Sequence, residues 1–145
     1  AVMHFVYLTV DNPRSNTSDL FRNLEKLELH PAYEKYFAEA FKPLGVYLNF
    51  TRETLPMSAS FPFVVMLAND EYNTLQGRVE VSVCKPDGTV LSKNLKNFTL
   101  SELSSHTYSI TLQLPQEEGH YIVKAVAYPD DHASTTSIRK LNIVK

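Results

Sequence analysis

The chain has 145 residues, 43% hydrophobic and 21% charged, with a formal net charge of -2. That balance belongs to a globular domain able to bury its own core and excludes a disordered or strongly charged chain. The 14 Lys and Arg are outnumbered by 16 Asp and Glu and scattered along the sequence, which excludes nucleic acid as a partner because no basic patch exists to neutralise phosphates.

The opening "AVMHFVYLTV" alternates, which predicts an added strand in "HFVYLTV" or the tail of a preceding domain. It lacks a basic n-region and is too short for a signal peptide, and the start at Ala1 without Met suggests a processed or excised piece. No apolar run approaches the ~20 residues that span a bilayer, so no membrane span is expected. From Ser15 to about Lys42 the pattern is helical and interrupted. Asn16, Thr17 and Ser18 offer N-caps, and Leu20, Leu24 and Leu27 recur at helical spacing, although a loop with one turn would also satisfy this first run. His30-Pro31 restarts a helix with proline near the first helical position. Tyr33, Phe37, Ala40 and Phe41 then form one apolar stripe, with Glu34, Lys35, Glu39 and Lys42 facing away, until Pro43 stops it. Residues 1–44 are accordingly expected to be a strand and helical segment that packs on, or links to, a neighbouring domain.

After Gly45 the period changes to two. Strands are predicted over 46–50, 61–69, 78–84, 89–93, 107–114, 120–128 and 137–144. Val79, Val81 and Val83 alternate with Arg78, Glu80 and Ser82, as in a sheet with one wet face. About seven short strands without intervening helices predict an all-β, immunoglobulin-like antiparallel two-sheet sandwich over 45–145. "KPDGT" (85–89) reads as a tight hairpin turn, and the Gly-x-Tyr start of "GHYIVKAVAY" marks Tyr121 as the tyrosine that pins the preceding loop at the entry to strand F.

The chemistry is sparse. Asp70 and Glu71, flanked by Asn69 and Asn73, suggest an acid/base pair or a calcium loop, but adjacent carboxylates on a turn splay instead of facing one another across about 5–10 Å of substrate space. The reading preferred from the residues is a soluble bend whose Asn69, Asp70 and Gly77 serve turn geometry. Asp130, Asp131 and His132 form a second acidic spot, without a third and fourth ligand at metal-binding spacing. There is no G-x-S-x-G, H-E-x-x-H, P-loop or G-x-G-x-x-G. No catalytic, cofactor-binding or metal-binding residue is therefore assigned. Cys84, the only cysteine, cannot form an internal bridge and is expected to be a semi-exposed bystander, opposite in phase to the valines. Trp is absent while Tyr and Phe each number 8, which makes a dedicated sugar-stacking module less favoured. Tyr72 and Tyr108 are the tyrosines expected to be exposed.

Three features stand together in Leu27–Val81: a short helix ending in "EAFKPLGVYLNF", a strand leading into Asn69-Asp70, and then "QGRVEV", opened by Gly77. On these the stretch resembles the C-terminal region of bacterial family 2 glycoside hydrolases, the β-galactosidase and β-mannosidase group. The resemblance implies a non-catalytic accessory domain following the catalytic barrel of a larger secreted or periplasmic sugar-cleaving enzyme. No position here matches the motifs of that family's two catalytic glutamates, so none is carried over. It further implies the catalytic domain of the same polypeptide as partner, with Tyr33, Phe37 and Phe41 as an interdomain helix face. Tyr72, Tyr108 and Asp70 would be contacts to sugar or to the neighbouring domain. Family members often carry Trp after the "YLNF"-like strand and around the Asn-Asp turn, where this chain has Thr51 and Tyr72, a departure that weakens direct sugar contact. The alternatives from other classes are a carbohydrate-binding module using Tyr72 and Tyr108, and an extracellular protein-recognition sandwich.

Overall fold

The computed structural model describes residues 21–145 apart from Leu24, in two compact units divided between Phe41 and Lys42. The expected N-caps Asn16, Thr17 and Ser18, the leucines Leu20 and Leu24, and the alternating stretch 4–10 lie outside the described residues.

In the first unit the predicted first helical run is replaced by a hairpin. β1 (Phe21–Asn23) pairs antiparallel with β2 (Glu28–Leu29). The turn explains why. Leu27 sits at φ 52, which a right-handed helix forbids, and the Lys26 N–H donates to Asn23 Oδ1 at 3.1 Å. The second run does form a helix. His30 closes its start, its Nδ1 accepting from the Ala32 N–H at 3.2 Å while its carbonyl accepts from the Tyr33 N–H at 2.9 Å. A π-helical stretch, Tyr33–Phe37, runs into one α-helical turn, α1 (Ala38–Ala40). Residues four apart are neighbours on one helix face. The rings of Tyr33 and Phe37 accordingly stack at 4.8 Å and 26°, and those of Phe37 and Phe41 lie 4.8 Å apart at 36°. Lys42, expected on the outer helical face, lies beyond the helix, and its Nζ donates to the Ser134 carbonyl at 2.7 Å.

The second unit is the predicted sandwich. β3 (Leu44–Asn49), β5 (Ser60–Asn69) and β8 (Ser105–Gln113) form a three-stranded sheet, ordered β3-β5-β8. β4 (Thr54–Pro56), β6 (Leu75–Cys84), β7 (Val90–Leu100), β9 (Gly119–Pro129) and β10 (Thr135–Val144) form a five-stranded sheet, ordered β4-β10-β9-β6-β7. All pairings in both sheets are antiparallel except β10 with β4. The alternation seen in sequence becomes the core: Val79, Val81, Val83 and Val123 from one sheet face Leu48, Phe63, Val65 and Ile110 from the other, all essentially inaccessible to water. Burial of each such side chain contributes about 1.5–3 kcal/mol.

Two local devices match expectation. Tyr121 is buried and its hydroxyl donates to the Glu117 carbonyl at 3.0 Å, pinning the β8–β9 connection. In the β6–β7 hairpin the Lys85 and Gly88 N–H groups donate to the Thr89 and Lys85 carbonyls, with Gly88 at φ +93.

Two readings are corrected. Cys84 is buried, not semi-exposed: Ser82, in the same phase two residues earlier, is buried as well, so the end of β6 is covered on both faces. It lies opposite Ile122 on β9 and Val90 on β7, its thiol 3.6 Å from Ser82 Oγ. Gly77 lies within β6, not in a turn. A Cβ there would collide with the Tyr128 carbonyl oxygen and stand 2.8 Å from Pro129 Cα, so glycine is required by the close approach of β9.

Candidate functional site

One end of the sandwich gathers the lead-in to β3, the β5–β6 loop (70–74), the β7–β8 loop (101–104) and the β9–β10 loop (130–134). Asn69, the last residue of β5, organises it. β5 alternates inward at Phe63, Val65 and Leu67, so Asn69 falls next in the same phase and its amide is carried inside at 1% exposure. The Nδ2 donates to the Asn73 carbonyl at 2.8 Å and the Ser101 carbonyl at 2.9 Å, and Oδ1 accepts from the Glu71 N–H at 2.9 Å. The Asn69 N–H donates to the Ser104 carbonyl at 2.8 Å. One side chain thereby closes its own loop and fastens it to the β7–β8 loop.

Backbone hydrogen bonds complete the fastening. The Asp70 N–H reaches the Pro43 carbonyl at 2.9 Å, the Leu103 N–H reaches the Glu71 carbonyl at 3.1 Å, and the Asp130 N–H reaches the Gln76 carbonyl at 2.9 Å. Leu103 holds φ 47, an uncommon conformation for a leucine. The loop end is a cross-tied platform.

The sequence-predicted residues divide on it. Asp70 and Tyr72 share the β5–β6 loop, and Tyr72 is 81% exposed. Glu71 is half-buried, with its backbone engaged at both N–H and carbonyl. Tyr108 is not brought to this loop. It pairs with Val65, four residues down β5 from Asn69, about 13 Å along the strand, and it faces inward against the core rather than outward. Its ring meets His106 edge-on at 4.8 Å, and desolvation holds its hydroxyl pKa above the ordinary 10.0. Asp130, Asp131 and His132 are exposed on the β9–β10 loop. Among the described residues no group of three His, Cys, Asp or Glu side chains is placed to hold a metal ion. No helix among them is long and apolar enough to cross a membrane.

In the first unit, Tyr33 and Phe37 are half-buried and Phe41 is 54% exposed, the three rings forming one continuous run. Sequence reasoning missed the part played by Asn69, reading it as a turn former. The available signal was its phase, even-spaced with Phe63, Val65 and Leu67.

With this geometry in place, the sandwich can be set beside known structures. The fold recurs in glycoside hydrolases. A family 2 β-glucuronidase superposes with a TM-score of 0.52 at 14% identity, covering 69% of this chain and 11% of that one. A β-glucosidase from Listeria innocua, solved with gluconolactone, superposes with a TM-score of 0.57 at 11% identity, covering 72% of this chain and 16% of that one. Spo0M, a sporulation control protein from Bacillus subtilis, gives 0.53 at 10% identity, covering 70% of this chain and 49% of that protein. The chain thus spans only a small part of these hydrolases and about half of Spo0M. At such identities the shared property is the fold. No protein-family model matches the chain, and no curated protein matches it either.

Proposed function

We propose that the chain is a non-catalytic accessory β-sandwich of a larger bacterial glycoside hydrolase, secreted or periplasmic with its parent, and that it buttresses the catalytic barrel. The observation that carries this reading is that the resemblance in Leu27–Val81 and the fold likeness to segments of a β-glucuronidase and a β-glucosidase converge on one enzyme class. Either alone leaves function open, since this fold also serves Spo0M. The residues that mark the resemblance have structural duties suited to a support domain: Asn69 ties loops together and Gly77 admits a neighbouring strand. In this reading the Tyr33, Phe37 and Phe41 rings are the face turned to the neighbouring domain, and Asp70 and Tyr72 meet either that domain or a sugar.

A second reading, a carbohydrate-binding module, is favoured by one observation, the 81% exposure of Tyr72 on a cross-tied loop. Such a ring is a stacking platform.

The test is the reading frame that encodes the parent. A barrel with two glutamates upstream, and a parent enzyme that loses thermal stability on deletion of residues 45–145 while folded molecules keep kcat/KM, is the expected result. A reading frame that encodes no barrel upstream of this stretch, or a parent whose stability ignores the deletion, overturns the accessory role. Calorimetric titration of the chain with β-linked oligosaccharides at millimolar concentration separates the second reading, which requires binding that Tyr72→Ala abolishes.

A further inference from the structure

Residues 42–145 contain ten Lys and Arg and ten Asp and Glu, so the sandwich is neutral as a whole, but its charges are segregated. The strands of the three-stranded sheet carry none of them. Those of the five-stranded sheet carry six of the cations and one carboxylate, Glu80. Arg78, Lys93, Lys124 and Lys140 lie on the outer face of that sheet, in the phase opposite to the buried Val79, Val81 and Val123. Strand pairing gathers them from distant parts of the chain. Lys93 and Lys124 are the two partners of Ser82, two strand spacings or about 10 Å apart, and Lys140 sits one strand further on, opposite Ile122. Lys93 meets Glu80 at 3.3 Å and the Arg78 guanidinium lies 4.9 Å from the Tyr128 ring, whereas Lys124 and Lys140 meet no carboxylate among the described residues. Aliphatic surface lies between them: Leu95 is 47% exposed, and Ile122 and Ile138 are half-buried.

The cross-tied loop end is the converse. Asp70, Glu71, Glu102, Asp130 and Asp131 all lie on its three loops, and Lys42 Nζ there is committed to the Ser134 carbonyl at 2.7 Å. Tyr72 and Leu103 stand out from it, 81% and 59% exposed.

We infer that the acidic loop end of one copy of the chain docks on the basic outer face of a second copy. The match is double. Carboxylates of the loops meet Lys124 and Lys140, and Tyr72 and Leu103 cover the aliphatic surface of Leu95, Ile122 and Ile138. A simple polyanion would satisfy the lysines and leave those aliphatic side chains in water. The hydrogen bonds that fasten the loops order them before contact, so docking loses little conformational entropy. Because the two surfaces differ, the contact is head to tail and repeats from copy to copy. The accessory role does not depend on which molecule meets the loop end, so the two proposals fail separately.

The test is sedimentation velocity of the full chain from tens of micromolar to about 1 mM, in about 0.05 M and about 0.5 M salt, a change that shortens the screening length about threefold. The expected result is a sedimentation coefficient that rises with concentration, with association at least tenfold weaker at the higher salt. Lys124→Glu with Lys140→Glu should abolish association, and so should Glu102→Lys with Asp131→Lys. Mixing these two variants should restore it, because the reversed loops of one then face the reversed sheet of the other. Lys140→Glu alone, at an exposed position, should weaken association at least threefold, which keeps the test open if the half-buried Lys124 cannot be reversed without unfolding. A monomer at every concentration, association indifferent to either set of substitutions, or variants that stay apart when mixed overturns the proposal. A chain that remains monomeric yet binds poly-L-glutamate through Lys124 and Lys140 also overturns it, and assigns the face to a different acidic partner.

Discussion

Asn69 and Thr135 are both 1% exposed, both polar, and both placed at the same end of one sandwich, yet they are treated oppositely. Asn69 makes three side-chain hydrogen bonds across two loops, whereas the Thr135 hydroxyl, sealed from solvent, makes none among the described residues. A buried polar group that is fully engaged belongs to the architecture. One that is left unsatisfied adds a desolvation cost and no tie, so the fold carries it as a local defect. The contrast separates a polar group that holds the loops from one that stabilises nothing.

The contrast is broken most directly at Asn69. Asn69→Ala should lower unfolding stability by about 2–4 kcal/mol, because two carbonyls and one N–H lose their partner together. Chemical denaturation measures this, and a loss below about 0.5 kcal/mol would show that water replaces the amide and that the loops do not depend on it. Tyr121→Phe removes a single hydrogen bond at the opposite end, 3.0 Å to Glu117, and should cost about 1 kcal/mol by the same measurement. Thr135→Val, near-isosteric and without a protein partner to abandon, should change stability by less than about 0.5 kcal/mol or raise it. A loss as large as that of Asn69→Ala would erase the distinction between the two residues.

A smaller effect is expected at Asp87, in the β6–β7 turn. The Thr89 N–H donates to its Oδ1 at 2.8 Å and, with the Thr89 hydroxyl and Lys85, holds the carboxyl below its ordinary 3.8. A lowered native pKa means that the charged form favours the folded state. The stabilisation is present above the unfolded value and is lost as pH falls through the native one. An NMR titration of the Thr89 amide should therefore show a midpoint below 3.8, and Asp87→Asn should abolish that step. The smallest stability effect belongs to Tyr72→Ala, which should leave the unfolding midpoint unchanged, since the ring is 81% exposed.

Much of the sandwich was legible because alternation is a direct consequence of strand geometry. Val79, Val81 and Val83 announce a buried face, and "KPDGT" announces its hairpin. Tyr121 was legible because glycine two residues before it marks a strand entry. The first unit was misread in part because Leu20, Leu24 and Leu27 copy helical spacing, whereas the positive φ of Leu27 and the Asn23 turn bond decide for a hairpin. β4 escaped notice because three residues with a proline carry no period and rely on pairing with β10, distant in sequence. Cys84 was misplaced because alternation alone does not tell that the second face of β6 is covered at its end, where Ser82 is buried too. At the candidate site, Asp70 and Tyr72 were located correctly on their loop, but the inward Tyr108 and the burial of Thr135 depend on which segments the topology brings together.

The proposed accessory role, in which the chemistry is carried out elsewhere, is tested most directly by hydrolysis of nitrophenyl β-glycosides with the purified 145-residue chain. The account predicts no turnover above buffer, and the same null result for Asp70→Asn and Glu71→Gln. Turnover that co-purifies with the chain and disappears in either variant would contradict it.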